Sequence, residues 1–280
     1  MRPSLSKQAT IYVCAALVSA FAIFPFVWMI LTSLKPQAEI YSTPLTYLPQ
    51  SINPDGYRGM LNVEADDNVN FMKWFGNTTI VSLLTTVFSL LISAFGGYAM
   101  SRFRFRGRMT IGYMILITQM LPGSLLIIPL YMIMREYQLL DSHFGLVIAY
   151  ATFAIPFCTW MLKGYFDSVS MSIDEAASVD GANRWTTFVR ILLPLTLPGL
   201  VVTGIFSFLT SWNEFIFAQT FLNDYGKWTL SVGIASFQGQ YVVNWDYLMA
   251  GSVFTTLPIV VAFWALQKYL VSGMTAGAVK

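Results

Sequence analysis

Apolar residues fill long, nearly continuous runs of the chain, and shorter polar segments separate these runs. A membrane-spanning helix needs about 20 mostly apolar residues, and six of the runs are close to that length or longer. They cover residues 11–34, 75–100, 111–134, 144–162, 195–222 and 248–267. The pattern therefore predicts an all-α membrane protein with six transmembrane helices.

Proline lies inside most of these runs, at positions 25, 122, 129, 156, 198 and 258. Proline is costly inside a soluble helix, but membrane helices tolerate it where neighbouring groups satisfy the carbonyls that it frees. Pro122, Gly123 and Pro129 predict a kink or a break in the third run. Helices kinked around a shared axis are typical of a bundle that encloses a cavity.

The composition agrees with a membrane environment. Of the 280 residues, 56% are hydrophobic and only 11% are charged, whereas an ordinary soluble domain has about 25% charged residues. The net charge of +2 is too small to indicate a nucleic-acid partner. The first run is longer than the ~7–15 apolar residues of a cleavable signal peptide, so it predicts a retained first span.

The positions of lysine and arginine predict the orientation of the chain. With the N-terminus inside, segments 1–10, 101–110, 163–194 and 268–280 face the cytoplasm and hold most of the 16 basic residues. The second of these segments contains four arginines, which strongly favour the inner side. Both termini are therefore expected in the cytoplasm.

The inner loop 163–194 contains the sequence features of two short helices. Ser172 and Glu175 stand three residues apart, which is the capping-box spacing and predicts a short helix over 175–180. Gly181 suits the left-handed residue that ends a helix. A second helix is then expected to begin at Ala182 and to lead towards Pro194.

This loop is better suited to docking a partner protein than to catalysis, because it has no histidine, no cysteine and no convergent set of acids and bases. A short helix attached to two spans transmits the movement of a partner into the membrane. The residues that offer a docking surface are small, charged or aromatic: Ala176, Ala177, Glu175, Asp180, Arg184, Trp185 and Phe188. The alternative is a solvated helix that only caps the bundle.

The same loop resembles the signature loop of ABC-importer permeases, in which Glu-Ala-Ala is followed by three residues, Gly, nine residues and Ile-x-Leu-Pro. Residues 175–177, Gly181, Ile191 and residues 193–194 keep that spacing. The resemblance implies the type I ABC-importer permease fold. It also implies an ATPase-coupling contact formed by Glu175, Ala176, Ala177, Asp180, Gly181, Arg184, Ile191 and Pro194.

Residues 102–108, 212–214 and 270–280 are similar to the second permease subunit of carbohydrate importers of the maltose-transporter type. This resemblance implies import of a sugar or oligosaccharide. It also implies that the C-terminal tail enters the space between two ATPase subunits, with contacts from Gly273, Thr275, Ala276 and Gly277. The expected division is a first helix with its external loop (1–74), a permease domain with the coupling loop (75–267) and a cytoplasmic tail (268–280).

The resemblance implies further partners and a place in the cell. A second permease subunit would complete a heterodimer in a bacterial or archaeal cytoplasmic membrane, and a solute-binding protein would deliver the solute from outside. Two ATPase subunits would hold ATP and magnesium. The sequence itself has no phosphate-binding loop, so we expect no cofactor, no metal and no catalytic residue on this chain.

Four residues are candidates for the substrate pathway: Trp212, Asn213, Glu214 and Gln119. Glu214 is the one acid well within a predicted span, and an acid inside a membrane is a functional candidate by default. Aromatic faces and hydrogen-bonding groups suit sugars. The alternatives are that Glu214 holds a neighbouring helix or reaches the interface, and that Gln119 makes a hydrogen bond between helices.

Three other functions are alternatives to carbohydrate import. An ABC permease for glycerol phosphate, peptides or amino acids would share the coupling loop. An ion-coupled secondary transporter would usually show intramembrane charge pairs or inverted repeats, which the sequence does not show. A membrane-anchored enzyme would need a nucleophile with its base, or a metal constellation, and neither is present.

Overall fold

A computed structural model describes residues 5–61, 71–239 and 243–278, and within those ranges the backbone is almost entirely helical. The one β-type pairing there is an isolated antiparallel bridge between Gln238 and Val243. The helices are α1 (Leu5–Ser33), α2 (Gln37–Ile40), α3 (Asp55–Leu61), α4 (Phe71–Arg102), α5 (Arg108–Met120), α6 (Ile127–Glu136), α7 (His143–Ser168), α8 (Met171–Val179), α9 (Arg184–Thr186), α10 (Leu193–Leu195), α11 (Leu197–Trp212), α12 (Ile216–Phe221), α13 (Leu230–Ala235) and α14 (Trp245–Ala278).

Four helices of the described residues, α1, α4, α7 and α14, are each long and apolar enough to cross a membrane. Two bent helix pairs raise that number to as many as six if each pair is one span. The prediction of an all-helical membrane protein is therefore confirmed. The apolar stretch of α1 has none of its residues buried inside the chain, so in a membrane this helix presents its surface to lipid or to another subunit.

The third predicted span is broken where the sequence predicts it. Helices α5 and α6 meet at an angle of 93°. Leu121 ends α5 in an extended conformation, with ψ of 120°, because a residue before proline is disfavoured in the helical region. Pro122 is also extended, and a single 3₁₀ turn over Gly123–Leu126 leads into α6.

The predicted fifth span, 195–222, is not one continuous helix: α11 begins close to the predicted start but ends ten residues before the predicted end. Helix α11 ends at Trp212, and α12 follows after a break of three residues. At the other end, the stretch Arg184–Leu195 meets α11 at an angle of 75°. Prolines 194 and 198 lack the N–H groups that would continue one straight helix, and the Thr196 hydroxyl donates to the Leu192 carbonyl beside the bend (2.8 Å).

The chain divides into two compact units. The first comprises residues 1–72 and 233–258. Within it, the Phe254 ring packs against Tyr57 (5.7 Å) and Phe71 (5.2 Å). A Cβ on Gly56 would lie 2.7 Å from the Asp246 carbonyl oxygen, so only glycine allows α3 to approach the start of α14 this closely.

The second unit comprises residues 73–232 and 259–280. Its helices pack through small residues, which let helix backbones approach closely in a membrane. Buried hydroxyl residues line one face of α4, and glycine, threonine and serine line one face of α11: Thr78, Ser82, Thr85, Ser89 and Ser93 on α4, and Gly199, Thr203, Ser207 and Ser211 on α11. This unit contains the predicted coupling loop.

Candidate functional site

Helix α8 forms the first half of the predicted coupling loop, and it begins earlier than expected. Ser170 is its N-cap and accepts a hydrogen bond from the Ser172 backbone N–H (3.3 Å). Ser172 is therefore inside the helix, and the predicted capping box with Glu175 is wrong. The serine two residues upstream provides the cap because its backbone is still non-helical, with ψ of 137°.

The turn after α8 has the predicted left-handed glycine. Gly181 has φ of +81°, and the Ala182 N–H donates to the Ala177 carbonyl (2.9 Å) while the Gly181 N–H donates to the Ser178 carbonyl (3.2 Å). These two bonds form a Schellman motif. A Cβ at residue 181 would meet no atom within 4 Å, so the backbone angle alone requires glycine here.

The second helix of the loop begins at Arg184 and not at Ala182 as predicted. Asn183 is its N-cap, and the Asn183 Oδ1 accepts from the Thr186 N–H (2.8 Å). After one turn the helix widens into a π-helical segment over Thr187–Leu192. Proline 194 lacks the N–H that would bond the carbonyl four residues earlier, and a π segment just before it accommodates that loss.

Arg102 fixes α8 to the end of α4. Its Nε lies 3.1 Å from the Asp174 Oδ2, and the two side chains are only 5% and 20% exposed. Its Nη2 also donates to the Val169 carbonyl (2.9 Å), and Ser101 beside it donates to the Asp167 carboxylate (2.7 Å). We call the Arg102–Asp174 ion pair the inner clasp, after the cytoplasmic side that the sequence predicts for this loop. The ion pair joins α4 to α8, and the bond to Val169 adds the segment after α7.

Sequence reasoning missed the inner clasp, since it treated Arg102 only as one of four arginines in an inner segment. Two observations distinguish Arg102 from the others. It lies in the last turn of α4. Its guanidinium is buried there and therefore needs a partner. Arg104 and Arg106 are exposed. Asp174 lies in the first turn of α8, but the sequence offers four acids in this loop and does not indicate which of them pairs with Arg102.

Aromatic side chains hold the second half of the loop against α4. Phe188 is buried and packs on Tyr98 (4.6 Å between ring centroids) and Phe95 (5.4 Å). Trp185 also stacks on Phe95, with 6.0 Å between the ring centroids. The Arg184 guanidinium lies 4.9 Å from the centroid of the Phe103 ring. Phe188 thus anchors the loop inside this chain, while Trp185 remains mostly exposed.

The predicted coupling residues do not all lie on the same side of the loop. Exposed residues form one surface on α8 and the turn after it, which we call the α8 surface: Glu175, Ala176, Val179, Asp180, Gly181 and Arg184. Ala177 is buried, Ile191 is half-buried and Pro194 is exposed at the bend before α11. Val179, which the sequence prediction did not name, is 87% exposed.

Three of the four candidate pathway residues, Trp212, Asn213 and Glu214, lie at the break between α11 and α12. The Glu214 carboxylate accepts hydrogen bonds from the Phe217 N–H (2.9 Å) and the Ala218 N–H (3.2 Å). A carboxylate at the first turn of a helix also interacts favourably with its dipole. Glu214 therefore anchors α12. Trp212 is buried against Phe75 (5.7 Å).

Asn213 and Gln119 are exposed. The Asn213 amide donates to the Leu209 carbonyl of its own helix (2.9 Å). The Gln119 amide donates to the Phe153 carbonyl of α7 (3.3 Å), which is the interhelical bond weighed from the sequence. Trp212, Asn213 and Glu214 are thus consecutive residues at the end of α11, whereas Gln119 lies on α5.

A second ion pair lies at the far end of the same unit, between the loop before α7 and the loop after α12. The Asp141 carboxylate accepts from the Lys227 ammonium (2.7 Å) and from the Asn223 N–H (3.0 Å). The Lys227 hydrogen bond is the main cause that lowers the pKa of Asp141, and the same bond raises the pKa of Lys227. We call this ion pair the outer clasp, after the external side that the sequence predicts for these two loops.

The predicted tail contacts Gly273, Thr275, Ala276 and Gly277 lie in the last part of α14. Their backbone is helical, and their side chains lie outside the described residues. Among the residues that the structure describes, no group of three or more histidine, cysteine, aspartate or glutamate side chains is placed to hold a metal ion.

Comparison with known proteins gives a match to one family over residues 91–276, which is described as "Binding-protein-dependent transport system inner membrane component". The trehalose/maltose transport system permease protein MalG of Thermococcus litoralis is 34% identical over 281 residues, covering 100% of this chain and 99% of the relative. The diacetylchitobiose uptake system permease protein DasC of Streptomyces coelicolor is 35% identical over 282 residues, covering 100% of each.

A solved structure with a similar chain is the crystal structure of a bacterial ABC transporter involved in the import of the acidic polysaccharide alginate. The TM-score is 0.80 with 26% sequence identity, and the alignment covers 96% of this chain and 99% of the other. The likeness therefore extends over nearly the whole chain.

Proposed function

This chain belongs to the family of binding-protein-dependent transport system inner membrane components, and on that premise we propose that it is a carbohydrate permease subunit of an ATP-driven importer. Membership makes it a multi-pass transport protein of the inner membrane and not an enzyme. Relatives that match the full length are permeases for trehalose/maltose and for diacetylchitobiose. The similar solved structure is of an ABC transporter involved in the import of alginate. These substrates are all di-, oligo- or polysaccharides, which supports a sugar or oligosaccharide as the solute.

The α8 surface is the proposed contact with an ATPase subunit. The inner clasp is the observation that carries this proposal. A docking helix transmits force only if it is attached firmly to the spans, and Arg102 ties α8 to α4 with a guanidinium that is almost fully buried. Ala177, Ile191 and Pro194 are proposed to act indirectly, because they determine how α8 and the stretch before α11 pack against the rest of the chain.

The proposed topology has six spans with both termini in the cytoplasm, and each bent helix pair counts as one span. The distribution of arginine and lysine supports this orientation. The domain bounds remain those predicted from the sequence, with the coupling loop 163–194 inside a permease domain over 75–267. The tail from 268 is proposed to contact the ATPase subunits through residues 273 and 275–277.

The proposed assembly contains a second permease subunit, two ATPase subunits that bind ATP and magnesium, and an external solute-binding protein. The apolar stretch of α1, in which no residue is buried inside this chain, supports contact with lipid or with the second permease. Neither ATP nor magnesium is proposed to bind this chain.

The break at residues 213–215 is the proposed part of the solute pathway. Glu214 fixes α12 through two backbone N–H groups, and Asn213 beside it is exposed. We assign Glu214 a positioning role, in which its carboxylate sets the angle of α12, and Asn213 and Gln119 the role of exposed hydrogen-bonding groups.

The proposed function is tested by purifying the chain with its co-isolating subunits and the solute-binding protein in lipid vesicles. Disaccharides and oligosaccharides are expected to stimulate ATP hydrolysis and to accumulate inside the vesicles. Amino acids, a dipeptide and glycerol phosphate serve as comparison solutes. If one of these solutes and no sugar stimulates ATP hydrolysis, that solute class replaces carbohydrate as the proposed substrate. Uptake without ATP would contradict the proposal that the complex is an ATP-driven importer.

A further inference from the structure

The segment between α4 and α5 carries a cluster of positive charge that the coupling role does not use. Arg104 and Arg106 are exposed, and neither has an acidic partner within ion-pair distance in the described part of the chain. Arg108 follows them as the first residue of α5. These side chains surround a shallow hollow that this segment alone lines, from Arg104 to Thr110.

The start of α5 makes this hollow still more positive. A helix N-terminus carries a partial positive charge, so acidic residues or an acidic ligand are favoured there. The first turn of α5 has no acidic residue, and its N-cap, Gly107, offers no side-chain acceptor. Three arginines around an uncapped helix start repel one another and the helix dipole, unless an anion occupies the hollow.

The apolar neighbours of the hollow distinguish a lipid anion from a soluble one. Phe105 is 41% exposed and Met109 is 70% exposed. Exposed apolar residues continue along α5 at Ile111, Tyr113 and Met114. Charge and apolar surface therefore adjoin at the end of a helix that enters the membrane, which is where a phospholipid presents a phosphate above its acyl chains.

We propose that Arg104, Arg106 and the first turn of α5 bind the phosphate of an anionic phospholipid of the inner leaflet, while Phe105 and Met109 contact its acyl region. The proposal rests on the inner-facing orientation given under the proposed function. The lipid would lie next to the inner clasp, because Arg102 and Phe103 directly precede the segment and Phe103 stacks under Arg184 of the coupling loop. Anionic lipid thereby stabilises the clasped arrangement.

The test uses the full complex in nanodiscs of phosphatidylcholine with a minor share of phosphatidylglycerol, and native mass spectrometry counts the phosphatidylglycerol that stays bound. The Arg104→Gln/Arg106→Gln variant is expected to bind phosphatidylglycerol about 25-fold more weakly at low ionic strength, since each of the two arginines near an anionic surface contributes a factor of about five. Arg104→Lys/Arg106→Lys keeps the charge and should retain most of the binding. Arg135→Gln, an exposed arginine at the far end of α6, is the matched control and should retain all of it.

Equal retention by wild type and Arg104→Gln/Arg106→Gln would overturn the proposal. Competition by soluble glycerol phosphate at the same concentration would identify a site for a free anion and would also overturn it. Loss of the ATPase subunits from the double variant, without a change in bound lipid, would identify a protein partner instead. The number of bound phosphatidylglycerol molecules is measured without ATP. A negative result in the transport test would therefore not change the interpretation of the lipid measurement.

Discussion

The inner and outer clasps are both lysine- or arginine-to-aspartate ion pairs that join segments far apart in the sequence, but they differ in burial. In the inner clasp, Arg102 and Asp174 are 5% and 20% exposed. In the outer clasp, Lys227 and Asp141 are 41% and 31% exposed. Water and salt screen an exposed pair and leave it little net energy, whereas removing one partner of a buried pair leaves a charge without compensation. The comparison therefore predicts that loss of one partner costs more stability at the predicted coupling loop than at the other end of the unit.

The largest effect is expected from breaking the inner clasp. Arg102→Ala should lower the free energy of unfolding by about 3 kcal/mol, because it leaves Asp174 and the Val169 carbonyl without their partner. Uptake should fall further than ATP hydrolysis, because α8 is no longer fixed to α4. Thermal unfolding in detergent and uptake per ATP hydrolysed measure the two effects.

The control for that experiment is Arg190→Ala, which removes an exposed arginine of the same loop and should change neither quantity. The double variant Arg102→Ala/Asp174→Ala should be destabilised by less than the sum of the two single variants, because paired residues are not independent. Strict additivity would show that the ion pair contributes nothing.

The next effect is expected at the turn after α8. Gly181→Val should cost about 1–2 kcal/mol, because a β-branched residue is strained at φ of +81°, and it should abolish coupled uptake while the protein still inserts into the membrane. Gly181→Asn is the matched variant, since asparagine tolerates the left-handed region. Normal uptake by Gly181→Val at normal subunit levels would refute the role given to this turn.

A smaller effect is expected from Glu214→Gln. The amide keeps one acceptor oxygen for α12 but loses the charge-assisted part of the two bonds, which costs about 1 kcal/mol. The solute concentration that gives half-maximal ATPase stimulation should shift. Glu136→Gln, at an exposed acid at the end of α6, should leave that concentration unchanged, and an unchanged value for Glu214→Gln would remove Glu214 from the pathway.

The smallest effect is expected at the outer clasp, where pH is the sharpest probe. The pKa of Asp141 is lowered, so its contribution to stability is present above the ordinary carboxyl pKa and is lost as the pH falls through the lowered value. The pKa of Lys227 is raised, so its contribution is present below the ordinary lysine pKa and is lost as the pH rises through the raised value. Melting temperature should therefore be flat near neutral pH.

The matched variant for the pH experiment is Asp141→Asn/Lys227→Gln, which removes both titrating groups. Its melting temperature should differ little from that of wild type at neutral pH. At acidic and alkaline pH its melting temperature should fall less than that of wild type, because the pair no longer titrates. Added salt should shrink the difference, because salt screens exposed charges. A large loss of stability at neutral pH would contradict the comparison between the two clasps.

The sequence was sufficient for features that depend on local chemistry. Apolar runs identified the long helices, Pro122 and Gly123 identified the break of the third span, and the glycine at 181 identified the left-handed turn. The helix start at Met171 was placed wrongly, since Ser168, Ser170 and Ser172 are equally good caps in the sequence. Packing decides which of them is used. The start at Arg184 was placed two residues too early, although Asn183 directly before it is a favourable N-cap.

Features that depend on contacts between distant segments were not readable from the sequence. The partner of Arg102 lies 72 positions later, in a loop where four acids were available, and only the fold brings Asp174 to it. Phe188 reads as an exposed anchor in an inner loop, yet it is buried against α4. The break after Trp212 was missed for a different reason: Asn213 and Glu214 were included in one apolar span, whereas Glu214 accepts from the first N–H groups of α12.

The central claim is that the α8 surface faces the cytoplasm and is covered by an ATPase subunit. It is tested most directly by Val179→Cys in a Cys14→Ser background, because Val179 is 87% exposed and the remaining Cys158 is buried. A membrane-impermeant thiol reagent should label residue 179 in inside-out vesicles stripped of the ATPase subunits, and adding those subunits back should protect it. Labelling from the outside of intact cells, or labelling that the ATPase subunits leave unchanged, would contradict the account.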